Sequence, residues 1–154
     1  MIINENAKYS IHDIAPLIEE CIKNGSTVRI KVSGISMTPL LHNAKDSVVL
    51  SKADSVKKYD IVLHRRENGQ YILHRVIKKK GSTLTIAGDF ETEKEYPVSE
   101  SAVIAKVVSF RRNGKDYKPE DFIIRLYSAI WVMIFPARQQ VLYILNVFRR
   151  LFHV

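Results

Sequence analysis

TVRIKV, residues 27–32, alternates strictly: Val28, Ile30 and Val32 fall on one side of an extended chain, Thr27, Arg29 and Lys31 on the other. A period of two marks a half-buried strand. The rhythm returns in short apolar runs at SVVLS (47–51), DIVLH (60–64), YILHRVI (71–77), TLTIA (83–87) and AVIAKVVSF (102–110). Short strands at this spacing predict a mostly β domain over residues 27–117. Asn68-Gly69 lies between two of the runs and Asn113-Gly114 follows the last, each a signal for a two-residue hairpin loop. Such a loop at 68–69 would pair Leu63 with His74 and turn His64 and His74 to opposite faces of the hairpin.

The flanks read differently. Residues 1–26 are expected to form an N-terminal helical segment, because Ile11, Ile14, Leu17, Ile18 and Cys21 recur at three- and four-residue intervals. Asp13 can cap this helix, Pro16 suits its first turn, and Asn24-Gly25 supplies the stop. MIINENAKYS has no basic start followed by an apolar run, so neither a signal peptide nor an N-terminal membrane anchor is expected. Residues 118–154 lose the β rhythm and read as an amphipathic helical tail divided at Pro136. The stretch FIIRLYSAIWVMIF contains Arg125 and is shorter than the roughly 20 residues a membrane crossing needs. Beyond Pro136, Val141, Ile144, Leu145, Phe148 and Leu151 make one stripe, and Gln139, Asn146, Arg150 and His153 another. Such a helix either lies on an anionic membrane or packs over the β domain.

Lysine and arginine number 24 against 16 acidic residues, a formal charge of +8 that favours anionic partners. No aromatic-rich nucleic-acid motif and no helix-turn-helix pattern accompanies it, which argues against nucleic acid and for an anionic membrane surface reached through the tail. The run Lys78-Lys79-Lys80 before Gly81 reads first as a solvated hairpin end. Cys21 is the single cysteine, excluding an intrachain disulfide, a cysteine zinc cluster and a Cys-x-x-Cys redox site. The expected location is the cytoplasm, or a membrane surface held peripherally through the tail.

Downstream of TVRIKV, the stretch SGISMTPLL (33–41) carries more than a turn needs. Gly34 and Pro39 explain a turn; Ser36 and Met37 do not. A serine hydroxyl becomes a nucleophile only when a base takes its proton. Five histidines compete for that role. His12, in the first helix, and His153, beside the C-terminus, read as solvated or capping residues, and His42 as an exposed loop residue. Between His64 and His74, strand alternation leaves at most one to share a site with Ser36.

SGISMTPLL, then Asp46 and an apolar strand, then YDIVLHR, LHRVI and AGDF, resembles the signal peptidase I family in order and spacing. Within it, the chain is similar to the branch that uses a serine and a histidine, as in the endoplasmic-reticulum-type enzymes. The resemblance runs from about Val28 to Tyr117. It implies a signal-peptidase-like β catalytic core, with Ser36 as nucleophile, His74 as general base, and Met37 packing the turn. Asp89 would orient the imidazole or brace the site, and Glu95 stands nearest the place of a second acidic residue. Chemistry agrees with the histidine: imidazole titrates at about 6.5, whereas a lysine base must be depressed by roughly three units through burial. The Ser36 backbone N–H would serve as oxyanion donor, with Gly34 permitting the close turn. Relatives often place a serine where Gly34 stands, and Ser33 is one residue early. Lys45-Asp46 and Tyr59-Asp60 stand where glycine-aspartate is usual, which predicts local backbone change at both turns.

The expected function is therefore a serine endopeptidase acting on a peptide or protein precursor through an acyl-enzyme, with no metal or organic cofactor. Two alternatives remain: a self-cleaving regulator of the repressor type, and a non-catalytic β module that binds membrane or a partner protein.

Overall fold

The computed structural model describes residues 11–151, so the expectations for residues 1–10 and for His153 lie outside the described residues. Helix α1 (Ile11–Lys23) precedes strands β1 (Val28–Lys31), β2 (Ser47–Ser51), β3 (Ile61–Arg65), β4 (Tyr71–Lys80), β5 (Thr83–Ala87), β6 (Glu95–Ser99), β7 (Val103–Arg112) and β8 (Lys115–Tyr117). Helices α2 (Phe122–Met133) and α3 (Arg138–Leu151) follow, joined by a 3₁₀ turn at Phe135–Ala137. The chain is mostly β with helices at both ends, as the alternation predicts. α1 is already helical at Ile11, so Asp13 lies in its first turn and not at its cap.

All strand pairs are antiparallel, in the order β1-β2-β7-β3-β4-β5-β6, with β8 paired to β7. One core joins Ile18 and Ile22 of α1 to Val28, Val48, Leu63 and Phe110 of the sheet. A second, on the other side of β3, joins Val62 to Val76, Leu84 and Ile86. Burial at alternate positions in these strands is what fixes their register.

The two Asn-Gly turns differ. At 113–114, Arg112 pairs with Lys115, and Asn113 and Gly114 both have positive φ (49° and 76°), giving the expected two-residue loop. At 67–69 the loop has three residues. The Arg66 N–H donates to the Gln70 carbonyl at 2.8 Å, the Gly69 N–H to the Arg66 carbonyl at 2.9 Å, and Gly69 alone takes a positive φ, 83°. Three-residue loops of this kind place a left-handed residue after a tight turn.

One extra residue shifts every partner. Leu63 pairs with Leu73, Val62 with His74, and His64 with Ile72. Partners share a face, as do residues two apart, so His64 and His74 face the same side. This corrects the expectation of opposite faces; their ring centroids are 5.8 Å apart.

α2 and α3 do not form a detached tail. Ile124, Ser128, Trp131, Phe135 and Arg138 are buried against the β domain, and Leu142 is buried as well. The other face of α2 stays in solvent, with Phe122 81% and Met133 72% exposed, and in α3 Ile144, Leu145 and Phe148 of the expected stripe are exposed too. Among the described residues no single helix is long and apolar enough to cross a membrane; α2 with the start of α3 passes only as a pair bent by 64°.

Candidate active site

Ser36 sits on a turn that both neighbours anchor. Upstream, the Val32 N–H donates to the Asp46 carbonyl, and the N–H of Gly34, at φ 86°, donates to Asn43 Oδ1. Downstream, Met37, Leu40 and Leu41 are buried in the larger core, so Met37 fastens the turn as the sequence implied. Asp46 closes the loop from beneath, taking the His42 N–H at 2.7 Å and lying 3.2 Å from His42 Nδ1. Ser36, half-buried, faces a groove of about 220 Å³ lined by Ile30, Val32, Leu63 and Leu73, which Ser33 also borders.

His74 lies on β4, whose partner β5 runs into the loop that touches Ser36. Arg75 pairs with Ala87, the last residue of β5, so Gly88 follows directly beyond the end of the ladder. A Cβ at 88 would lie 2.5 Å from the Ser36 carbonyl oxygen and 3.1 Å from Ser36 Cβ. Ser36 thus occupies the space of the absent Gly88 side chain. The Phe90 N–H donates to the Ser36 carbonyl at 2.8 Å and ties the turn to this loop.

Three charged groups surround the two buried imidazoles. Glu95 Oε1 lies 2.9 Å from His74 Nδ1, and Glu91 Oε1 lies 3.3 Å from His74 Nε2. Neither contact is aligned as a hydrogen bond, and both ring nitrogens are buried without one. In this arrangement Nε2 faces Glu91 and makes no hydrogen bond to the Ser36 hydroxyl. Glu91 Oε2 also accepts from the Gly88 N–H at 3.3 Å. Burial raises the Glu95 pKa, but the Arg66 ion pair and then His74 and His64 outweigh it and hold Glu95 below the ordinary carboxylate range. Glu91 is lowered chiefly by its contact with His74. Burial drives His64 down to about 4, only partly opposed by Glu95.

Asp89 lies elsewhere. Its carboxylate forms a bidentate pair with Arg75, both contacts 2.8 Å, and accepts from Tyr127 Oη at 3.2 Å. Arg75 also donates to Ser128 Oγ at 2.7 Å and to the Tyr59 carbonyl at 3.1 Å. Of the two carboxylates the sequence left open beside His74, Glu95 is therefore the one in contact, and Asp89 braces the strand from behind. Tyr59 has φ 81°, a left-handed conformation held without the glycine that the resemblance leads one to expect there.

Arg138 completes the frame. Its Nη1 donates to the carbonyls of Gly88 (2.9 Å) and Glu91 (3.1 Å), and its Nη2 to that of Trp131 (2.9 Å). Sequence reasoning missed Gly88, Glu91, Arg75 and Arg138, and it weighed His64 but set it on the face away from His74. Gly88 and Arg75 stood in plain view beside Asp89 and His74, but contacts from residue 75 to 128 and from 88 to 138 leave no local pattern.

A model of the Peptidase S24-like family matches residues 3–108, more than half the chain, and no curated protein matches it.

Proposed function

The chain belongs to the Peptidase S24-like family, and on that premise we propose that it is a serine endopeptidase of signal-peptidase-I-like type, using a Ser36–His74 dyad to cut a peptide or protein precursor. The observation that carries this reading is the seating of Ser36 in the space of the missing Gly88 side chain, one residue beyond Ala87, which pairs with the Arg75 next to His74.

In the proposed reaction Glu91, whose side chain is 37% exposed, first swings away from Nε2. Ser36 Oγ then attacks the scissile carbonyl carbon as its proton passes to His74 Nε2. Glu95 at Nδ1 fixes the tautomer and stabilises the imidazolium, as the carboxylate of a triad does. The Ser36 N–H donates to the developing oxyanion. His74 returns the proton to the leaving amine, and water then splits the acyl-enzyme by the reverse steps. The apolar groove beside Ser36 suits small aliphatic side chains next to the cut.

The exposed apolar face of α2 and α3, with the charge of +8, supports docking on an anionic membrane surface. A second reading, self-cleavage of the repressor type, is favoured by one contact: Ile11, at the start of α1, lines the groove that Ser36 faces.

A phosphonate probe for reactive serines, followed by peptide mapping, tests the dyad. Labelling at Ser36 that disappears in His74→Ala supports it; equal labelling in that variant, or none at Ser36 in wild type, refutes it. Mass spectrometry of wild type incubated alone separates cleavage of another chain from self-cleavage.

A further inference from the structure

His64 and His74 are 1% and 0% exposed, and His64 Nε2 and both His74 ring nitrogens are buried without a hydrogen bond. A buried polar atom left without a hydrogen bond is costly, so three on two neighbouring rings call for a partner. Glu95 completes the group: one ligand atom each from His64, His74 and Glu95 lie within 4.8 Å of one another. Metal–nitrogen and metal–oxygen bonds of about 2.0–2.2 Å would require these atoms to close in by roughly an ångström, within reach of side-chain rotation. Two imidazoles and one carboxylate are a donor set that suits zinc and its neighbours and does not suit calcium or magnesium.

We infer that His64, His74 and Glu95 bind a zinc-class divalent cation, and that the bound ion blocks the serine site. His74 Nδ1, the nitrogen facing Glu95, is the ring atom turned toward the cluster. A neutral imidazole carries one proton. With the Nδ1 lone pair on a metal that proton is confined to Nε2, and no lone pair remains there to accept the proton of Ser36. Glu91, beside Nε2, would accept from the Nε2–H and hold the ring in that tautomer. Arg66 now neutralises Glu95, with Nε 2.8 Å from Oε2; its side chain is 32% exposed and can withdraw as the cation arrives. The hairpin loop at 67–69 makes the site possible, because a two-residue loop would part the histidines. The blocking effect rests on the peptidase reading; the metal site does not.

The test uses the full chain stripped with EDTA. Co²⁺, followed by visible absorption, and Zn²⁺, followed by calorimetry, should each bind at one equivalent. His64→Asn and Glu95→Gln should each weaken binding at least tenfold; Glu95, being partly exposed, gives a variant that keeps the buried pair of rings. One equivalent of Zn²⁺ should suppress phosphonate labelling of Ser36, and EDTA should restore it. Absence of stoichiometric binding, or binding that neither substitution weakens, overturns the site. Binding that leaves labelling untouched overturns the block. Metal binding dependent on His64 with no labelling of Ser36 even in EDTA leaves the metal site standing and removes the peptidase reading instead.

Discussion

Gly88 is pressed against Ser36 so closely that a single added carbon would stand 2.5 Å from the Ser36 carbonyl oxygen. The obstacle is backbone, and it cannot rotate aside. Gly88→Ala should push the serine turn away from His74. An ångström of misplacement costs on the order of 10²-fold in rate, and overpacking costs about 1–3 kcal/mol of stability. Phosphonate labelling of Ser36 should fall by about that factor while the circular dichroism spectrum stays native. Labelling at the wild-type rate would show that the turn and the loop are not coupled.

Glu95 and Asp89 should separate by what they affect. Glu95→Gln keeps the shape but removes the charge beside His74 Nδ1 and opposite Arg66, so labelling should drop by about 10²–10⁴-fold, with a smaller fall in melting temperature than Asp89→Asn gives. Asp89→Asn leaves Arg75 buried without its counter-charge and should cost about 3–5 kcal/mol of stability. Thermal denaturation of the two proteins decides this; equal melting temperatures would contradict the assignment.

His64 gives the fold a pH dependence. Its pKa is about 4 in the folded chain, against 6.5 for an ordinary histidine. Between those values the unfolded chain binds a proton that the folded chain refuses, so stability rises with pH. The contribution is complete above 6.5, falls as pH drops toward 4, and amounts to about 3 kcal/mol at most. Glu91 and Glu95, both held low, add to the loss below 4.5. Urea denaturation in EDTA across this range should show the slope, and His64→Asn should flatten the part above 4.5.

Membrane docking through α2 predicts that Phe122→Ser with Met133→Ser lowers binding to vesicles containing anionic phosphatidylglycerol by at least about tenfold. Both side chains are exposed, so the melting temperature should hold. Cosedimentation measures the binding, and an unchanged bound fraction would remove this face from consideration. Deleting the chain after Lys118 would not serve, since it strips Ser128, Trp131 and Arg138 from the network around Asp89 and the Gly88 loop.

Where alternation is clean the strands are legible: Val28, Ile30 and Val32 announce β1, and SVVLS is β2 to the residue. β6 was not, because Pro97 and Glu95 interrupt the pattern; proline is tolerated there on the outer strand of the sheet. Ser36, Met37 and His74 were readable because their neighbours form a recognisable order. The partner of His74 was not, since a carboxylate's reach depends on which way a loop folds, and Glu91 carries no pattern of its own. The loop at 67–69 shows the limit most clearly. Asn-Gly fits both a two-residue and a three-residue loop, and Gly69 takes the same left-handed conformation that either requires.

That loop also constrains how the chain can vary. Adding or deleting one residue between Arg66 and Gln70 would invert every side chain of one strand relative to the other, sending His74 away from Glu95 and Leu73 out of the core. A change of two residues would preserve the alternation. Length variation at this exposed hairpin tip, where insertions are usually harmless, should be tolerated in even steps and rejected in odd ones.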